Sequence, residues 1–366
     1  RLFCSSNECD GMVREGEISL TRQSVQNNPP DILFTTTESL NKRIADSWNR
    51  ELFLGKEENK KPFLALLDEV HTYEGTSGAH VALLLRRWSF LLGEGAKNVH
   101  WTGLSATLPE AQSFFSDLTN KRQDNIEEIT PSREEYIEDS AEYQIIIRGN
   151  PASKTSLLST TIQTAMLVPR ILETPGSLRD ESIFGCRAFT FTDQLDSVHR
   201  LYWNLMDAEA YTRNATPSRS RHPLAYLRNS DSGEHDAVDK IRDSFGQVWK
   251  LAEKIGHDLR ERLVIGLTTS MNSGVIKNSN IIVATSALEV GYNDPLVGAV
   301  IQHKSPVSMA SYIQRKGRAG RVKSMRPITI TVLSDFGRDR YSYQNYEYLF
   351  ELKFRIGIQL RLNHLI

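Results

Sequence analysis

The sequence predicts an α/β protein with parallel sheets, and three observations support this fold class. Between residues 30 and 120, segments typical of strands alternate with segments typical of helices. The apolar run at 63–67 is short enough for a buried parallel strand and ends in two acids. A second series of apolar runs lies between residues 264 and 333. Such alternation predicts parallel strands joined by right-handed crossovers.

The first half of the chain contains elements that follow one another closely. Residues 1–29 predict a loop-rich segment with a hairpin, and residues 119–140 are highly charged and predict a solvated connector. The expected strands are 32–35, 63–67 and 99–104, and the expected helices are 37–52, 78–92 and 109–118.

The second half predicts another parallel sheet, interrupted at 208–262. The expected strands are 143–148, 184–191, 264–267, 281–284, 299–301 and 328–333, and the expected helices are 157–172, 194–207 and 239–259. Arg213, Arg219 and Arg221 lie in a segment without apolar periodicity, which favours an exposed loop over a nucleic-acid contact. The tail 341–366 is aromatic enough to pack on another domain or a partner.

Composition places the chain among ordinary globular proteins with room for two cores. It has 366 residues, 39% hydrophobic and 24% charged, with a formal net charge of -1. The charge gives no support for nucleic-acid binding, although contacts along a cleft are local. No apolar stretch approaches the length of a membrane span. Three cysteines argue against a disulfide framework and fit a reducing, cytoplasmic compartment.

Cys4 and Cys9 lie close together near the start of the chain. Zinc sites use about four ligands, with paired cysteines separated by two to four residues. The pair is therefore consistent with one half of a zinc site, or with two cysteines in a turn.

Asp68 and Glu69 follow the apolar run and continue into Val70 and His71. Ligands bind at the carboxyl edge of open parallel sheets, where these acids are expected. Asp68 suits Mg²⁺, held through water, and Glu69 suits the polarisation of an attacking water. The alternative is an ordinary strand end with two solvated acids.

The segment from Gln314 to Arg321 places Arg318 and Arg321 among small residues, after a strand and at the expected start of a helix. Arginine offers a permanent charge and a planar fork of donors that matches phosphate oxygens. This suits an arginine finger directed at the γ-phosphate of a nucleotide. The alternative is a solvated basic turn.

Together these segments resemble the motifs of superfamily 2 helicases, over roughly residues 30 to 335. Asp68 to His71 resembles motif II, Ser105 to Thr107 motif III, and Gln314 to Arg321 motif VI. Residues 189–193 resemble motif IV, residues 281–293 motif V, and residues 30–38 the strand and nucleic-acid-contacting turn before motif II. Residues 288–292 and 308–314 are similar to bacterial DNA helicases of the MrfA-like repair kind and of the phage-defence kind. Residues 255–257 and 332–340 resemble the phage-defence helicase DpdJ.

Two departures from the family pattern stand out. Asn293 occupies the position where an Asp is usual, after the motif V glycine and one apolar residue, and Asp294 follows it. The P-loop, G-x-x-x-x-G-K-[ST], is absent upstream of Asp68. The expected explanation is that the chain is the C-terminal part of a larger polypeptide.

The resemblance implies two RecA-like domains with parallel sheets, the first of them incomplete. Residues 1–130 are expected to form the end of the first domain, 131–335 the second, and 336–366 a C-terminal extension. ATP would be hydrolysed between the domains to drive movement along DNA. The implied nucleotide and catalytic residues are Asp68 with Mg²⁺, Glu69, His71, Gly291, Gln314, Arg318 and Arg321.

The remaining implied residues contact nucleic acid or couple it to the nucleotide. The first group is Thr35, Thr36, Thr192, Thr285 and Ser286, and the second is Ser105, Thr107 and Glu289. His71 is expected either to bridge to the second domain or to be satisfied within its turn. Partner proteins of a defence complex are also implied. An RNA helicase and a non-catalytic nucleic-acid-binding scaffold remain as alternative functions.

Overall fold

The computed structural model describes most of the chain and divides it into two compact units, Arg1–Glu135 and Tyr136–Ile366. This division falls close to the expected boundary after residue 130. The described residues are 2–3, 11–13, 17–19, 21–46, 50–55, 61–73, 75–105, 108, 110–135, 140–149, 156–174, 182–230, 246–269, 278–285, 288 and 293–350.

The first unit contains a short hairpin, a parallel strand pair and helices packed on that pair. Strands β1 (Leu2–Phe3) and β2 (Met12–Val13) are antiparallel, and β3 (Leu64–Leu67) and β4 (His100–Gly103) are parallel. The helices are α1 (Arg22–Asn27), α2 (Thr37–Ala45), α3 (Arg50–Leu54), α4 (Gly75–Leu92) and α5 (Ala111–Thr119).

Strand β3 is buried on one face only, so the expectation of a fully buried strand is wrong. Ala65 and Leu67 pack against the core formed with α4 and α5, whereas Leu64 and Leu66 remain 42% and 60% exposed. Because side chains alternate along a strand, a one-sided cover leaves every second residue in solvent.

Two other expectations in the first unit are also wrong. Residues 32–35 form no strand, because the segment lacks a ladder of backbone hydrogen bonds to a neighbouring strand in the described part of the chain. The expected helix at 37–52 is two helices, since α2 ends where Asp46 adopts an extended conformation.

The second unit is built on a six-stranded parallel sheet in the order β5-β10-β9-β6-β8-β7. The central strands β6, β8 and β9 are buried along their whole length, as strands covered on both faces should be. The strands are β5 (Tyr143–Arg148), β6 (Arg187–Phe191), β7 (Ile265–Thr268), β8 (Ile281–Ala284), β9 (Val297–His303) and β10 (Ile328–Leu333).

The helices of the second unit cover this sheet and enclose its core. The expected helix at 239–259 is only partly found: α8 ends where Gly256 turns left-handed (φ 109°), and 239–245 lie outside the described residues. The helices are α6 (Leu157–Ile171), α7 (Leu195–Ala208), α8 (Lys250–Ile255), α9 (Met309–Lys316), α10 (Gly337–Gln344) and α11 (Glu347–Phe350).

Hydroxyl side chains set where several helices begin. Thr36, Ser156 and Ser308 each precede a helix and accept a hydrogen bond from the backbone N–H three residues later. A side-chain oxygen at this position satisfies one of the donors that the first helical turn leaves open. The sequence therefore determines the starts of α2, α6 and α9 locally.

A buried ion pair ties α6 to the segment that follows α7. Arg170 and Glu209 are 1% and 0% exposed at their side chains and form two parallel hydrogen bonds of 2.7 and 2.8 Å. Glu209 also accepts from the Leu263 N–H, and Arg170 donates to the Glu261 carbonyl. The two ends of the 208–262 segment are thus fixed to the domain core.

None of the helices in the described ranges combines the length and the apolarity that crossing a membrane requires.

Candidate functional site

The acidic pair of the first unit lies where β3 ends, at the edge of the strand pair. Glu69 adopts a left-handed backbone conformation (φ 50°), and its N–H donates to the Asp68 Oδ1 at 3.0 Å. The Val70 N–H donates to the Leu104 carbonyl, which holds this turn against the end of β4. A left-handed Glu is uncommon and costs free energy, so surrounding contacts must hold it.

His71 supplies one of those contacts. It is 5% exposed, and its Nδ1 lies 2.9 Å from Ser105 Oγ and 3.5 Å from Glu69 Oε2. The imidazole therefore connects the acidic turn after β3 to the hydroxyl-bearing turn after β4. Both of these contacts lie within the first unit.

Asp68 has the properties expected of a ligand to hydrated Mg²⁺. The residue is exposed, one of its oxygens accepts from the Glu69 N–H, and Oδ2 forms no hydrogen bond with the described residues. Mg²⁺ takes few carboxylates and retains waters, so one accessible oxygen fits it. Burial and the nearby Asp68 charge raise the pKa of Tyr73 in the same turn.

Thr35 and Thr36 lie on the surface of the first unit, directly before α2. The Thr36 hydroxyl caps the helix by accepting from the Ser39 N–H at 3.1 Å, and the Thr35 hydroxyl donates to the Thr36 carbonyl at 3.3 Å. Both side chains are exposed at a helix N-terminus, a position that favours anions.

In the second unit, Thr192 and Asp193 follow β6 at the carboxyl edge of the sheet. Thr192 is 2% exposed, and its N–H donates to the Ala284 carbonyl of β8. Asp193 pairs with Arg315 of α9 at 2.5 Å. Arg315 is buried, donates to the Gln302 Oε1 at 2.9 Å, and lies over the Phe191 ring at 5.6 Å.

The arginines of the basic segment lie beyond the end of a helix, so the expectation that they open one is wrong. Helix α9 begins at the Ser308 cap and ends at Gly317, leaving Gln314 on the helix and Arg318 and Arg321 in the turns after it. Arg321 is exposed, and its Nε donates to the Gly317 carbonyl at 3.0 Å. Its terminal guanidinium nitrogens form no hydrogen bond with the described residues.

Gly320 allows this turn to close on the sheet. It adopts a φ of +72°, and its N–H donates to the carbonyl of Val297 at the start of β9. A Cβ on Gly320 would lie 2.7 Å from the Pro327 Cγ. Only glycine meets both requirements without strain.

Part of the segment that resembles motif V lies outside the described residues. Ser286, Glu289 and Gly291 lie outside the described residues, as do Thr107, Cys4 and Cys9. Thr285 is described, half-buried at the end of β8, with its N–H 3.4 Å from the Thr268 carbonyl. Within the described ranges no group of three or more His, Cys, Asp or Glu side chains gathers as for a metal ion.

Asp294 is engaged elsewhere and does not replace the missing Asp at position 293. It is 6% exposed and forms an ion pair with Arg187 at the start of β6, while its Oδ1 accepts from the Leu296 N–H. The Arg187 Nε also donates to the Ser279 carbonyl. Asp294 therefore holds the amino edge of the sheet.

A cavity of about 320 Å³ at the carboxyl edge of the second sheet was not anticipated from the sequence. Thr192, Asp193, His303, Lys304 and Arg338 contribute to its wall. Burial, with the charge of Lys304, lowers the pKa of His303 from 6.5 to about 4. The ring is therefore neutral at pH 7, and its Nδ1 lies 2.8 Å from Thr161 Oγ1.

Sequence reasoning also missed the Arg315 ion pair with Asp193. A signal was present, because Arg315 adjoins Gln314 and Asp193 ends the segment resembling motif IV. Nothing in one sequence shows that two residues far apart in the chain meet across β6 and β9.

Comparison with known proteins agrees with this geometry. Residues 266–323 match the family model described as the helicase conserved C-terminal domain. The Lhr helicase/uracil glycosylase of Escherichia coli is 30% identical over 84% of this chain and 19% of its own length. An uncharacterized ATP-dependent helicase of Methanocaldococcus jannaschii is 26% identical over 94% of this chain and 41% of its own length.

The solved structures agree on the fold. The DUF1998 helicase MrfA bound to DNA superposes with a TM-score of 0.54 at 16% identity, covering 92% of this chain and 39% of MrfA. The chain thus spans about two fifths or less of the length of these relatives. It has the RecA-like α/β fold with parallel sheets that MrfA also shows, its residues 266–323 match the helicase C-terminal domain, and its sequence is similar to helicases of the Lhr type.

Proposed function

We propose that this chain is part of an ATP-dependent DNA helicase or translocase. The observation that carries the proposal is the acidic turn after β3, where Asp68 is exposed and Glu69 is held in a left-handed conformation beside the buried His71. A turn that holds strain around an exposed carboxylate pair suits a catalytic role better than an ordinary strand end.

Each named residue has a task in this proposal. Glu69 orients and polarises the attacking water, while Asp68 holds the hydrated Mg²⁺. The bound Mg²⁺ supplies charge that neutralises the phosphate oxygens. Arg318 and Arg321 stabilise the charge that develops on the γ-phosphate, and Gln314 positions the water or the arginines. His71 and Ser105 keep Glu69 in place and relay its position to the turn after β4.

The nucleic-acid contacts in this proposal are threonines at the ends of strands and the start of a helix. Thr35 and Thr36 are exposed before α2, and Thr192 and Thr285 follow β6 and β8 at the edge of the second sheet. Ser286, Glu289, Gly291 and Thr107 keep the roles that the family resemblance implies. Hydroxyl contacts to phosphates carry no sequence information, which suits a motor that moves along any sequence.

The experiment is ATP hydrolysis by the natural full-length protein, with and without single-stranded DNA, beside Glu69→Gln. We expect DNA to stimulate turnover and the variant to lose it by about 10³-fold or more, because the water loses its base. The matched control is Glu110→Gln. Glu110 has the same φ of 50° in the same unit but precedes α5 and lacks the partners of Glu69.

The outcomes separate the three function classes. Turnover that RNA stimulates as strongly as DNA would favour an RNA helicase. Absence of turnover in all conditions would favour a scaffold that binds nucleic acid without hydrolysis. Equal losses in Glu69→Gln and Glu110→Gln would remove Glu69 from the chemistry.

The biological setting in this proposal is cytoplasmic phage defence, with partner proteins of a defence complex. It is supported by the resemblance of residues 255–257 and 332–340 to DpdJ. Plaque counts on cells carrying the natural protein or Glu69→Gln test it: protection that the variant loses supports the role, and equal plaque counts contradict it.

A further inference from the structure

The cavity at the carboxyl edge of the second sheet carries a charge that the segments resembling helicase motifs do not explain. Lys304 follows β9 and Arg338 lies in the first turn of α10, so both are outside motifs IV, V and VI. Both side chains line the cavity of about 320 Å³ together with Thr192. This volume lies at the lower end of the range of small-ligand sites, about 300–1,000 Å³.

The carboxylates around this cavity are already engaged. Asp193 lines the wall but is paired with the buried Arg315 at 2.5 Å. Asp339 is 6% exposed and accepts from the backbone N–H groups of Ser305 and Ser334 and from the Ser334 hydroxyl.

Lys304 and Arg338, in contrast, form no ion pair with the described residues. The neutral His303 adds no charge to the wall. The cavity therefore has a net positive lining, which low-dielectric walls strengthen.

Hydrogen bonds hold the main chain of Lys304 and the side chain of Arg338 in place. Lys304 has a left-handed φ of 69°, and its N–H donates to the Val332 carbonyl while its carbonyl accepts from the Gln302 side chain. Arg338 donates to the Ser305 carbonyl at 2.8 Å, which orients its guanidinium group. A strained non-glycine residue at a cavity wall is a feature of ligand sites.

We propose that this cavity binds a phosphate of the nucleic-acid backbone, with Lys304 and Arg338 as its cationic contacts and Thr192 as a polar wall. The inference rests on the proposed function, which assigns a nucleic-acid contact to Thr192. It adds two further contacts, which lie after β9 and β10. A guanidinium and an ammonium converging on one cavity match phosphate oxygens in charge and in donor geometry.

The test is the salt dependence of single-stranded DNA binding by the full-length protein. Lys304→Asn and Arg338→Gln remove one charge each, and Asn tolerates the left-handed backbone at position 304. Each is expected to raise Kd about tenfold. Each should also reduce the magnitude of the slope of log association constant against log salt concentration by about 0.7, the value for one lost phosphate contact on a single strand. Lys304→Arg and Arg338→Lys should keep the slope near that of the natural protein.

The matched control is Lys254→Gln, which removes an exposed charge from α8, away from this wall. Slopes in Lys304→Asn and Arg338→Gln that equal the Lys254→Gln slope would overturn the assignment. Thermal unfolding of each variant shows that it is folded before binding is compared.

A second arm distinguishes backbone phosphate from free phosphate. Inorganic phosphate is added at constant ionic strength, and the shift in Tm is compared between the natural protein and Lys304→Asn. A shift that the variant loses while its DNA slope is unchanged would make this a free-phosphate site and overturn the proposal. Failure of the natural protein to bind nucleic acid at all would instead contradict the proposed function.

Discussion

At the scale of single residues, the candidate site uses backbone conformations that cost free energy. Glu69, Lys304 and Gly320 all have positive φ, and all three lie at a loop beside a sheet. For Glu69 and Lys304, hydrogen bonds of the neighbouring backbone hold the turn and offset this conformational cost. For Gly320 the absence of a Cβ removes both the strain and the contact with Pro327.

Gly320→Ala should therefore be clearly destabilising. We expect a loss of about 2–3 kcal/mol in the free energy of unfolding, from the left-handed backbone and from overpacking against Pro327. Gly246→Ala is the control, because Gly246 has a φ of 65° and open space around its Cβ position. Urea unfolding measures both; equal losses would show that the contact with Pro327 contributes nothing.

The depressed pKa of His303 predicts a stability that depends on pH. The folded state resists protonation down to about pH 4, whereas the unfolded state takes up the proton near pH 6.5. The unfolded state thus binds more protons in this window, and stability falls as pH decreases from 6.5 to 4, by about 3 kcal/mol. Comparing the free energy of unfolding against pH for His303→Gln and the natural protein checks this.

His199, exposed on α7, provides the control for that comparison. His199→Gln should leave the curve between pH 4 and 6.5 unchanged. A natural-protein curve that is parallel to the His303→Gln curve would show that His303 does not contribute to acid sensitivity.

At the scale of elements, hydroxyl caps and buried ion pairs decide where helices begin and how loops are attached. The helix starts at Thr36, Ser156 and Ser308 follow from local hydrogen bonds that sequence reveals. The attachment of the 208–262 segment depends instead on Arg170 and Glu209, which meet only in the folded chain. Its arginines Arg213, Arg219 and Arg221 are exposed, and Arg221 donates to Asp207 and to the Tyr211 carbonyl.

Breaking the buried ion pair of Arg170 and Glu209 should lower the free energy of unfolding far more than breaking the exposed pair of Arg221 and Asp207. Arg170→Met and Glu209→Gln are each expected to lose about 3–5 kcal/mol, because one partner stays buried without its counter-charge. The double variant should lose less than the sum of the two. Denaturant unfolding of the four proteins gives the coupling energy.

The exposed pair of Arg221 and Asp207, 50% and 73% exposed, is the reference for this cycle. Its removal should cost about 0–1 kcal/mol. Additive losses at Arg170 and Glu209 would show that the two side chains do not act as a pair.

At the scale of the molecule, the two units differ in how completely they cover their sheets. The second has six parallel strands with buried central positions and helices packed on them. The first has a parallel pair whose outer face leaves Leu64 42% exposed and Leu66 60% exposed. Stability of an α/β unit depends on covering its sheet, so the second unit should be the more stable.

Residues 136–350 expressed alone should therefore fold. We expect a single cooperative thermal transition and a near-UV circular dichroism spectrum from Trp203 and Trp249, both in the described part of this unit. Residues 1–135 expressed alone should show a weaker transition and bind a hydrophobic dye. A broad transition without cooperativity in residues 136–350 would contradict this account of its core.

The sequence by itself determined the fold class and most strands, and it indicated the similarity to helicases. Strands at 143–148, 281–284 and 328–333 are found as predicted, because short segments rich in β-branched residues favour strands. The order of Asp68–Glu69, Ser105 and Gln314 to Arg321 was sufficient to indicate a helicase. Where the predictions were wrong, as for the strand at 32–35 and the helix at Arg318, the local pattern was compatible with more than one backbone state.

Only the tertiary structure decided which distant residues share a contact. The pairing of Asp193 with Arg315, the engagement of Asp294 by Arg187, and the gathering of Lys304 and Arg338 at one cavity all join segments far apart in the chain. Hydrophobic periodicity and capping act over a few residues, so a sequence reveals them directly. Contacts between distant charges depend on strand order, which brings β6, β9 and β10 side by side and which no local pattern specifies.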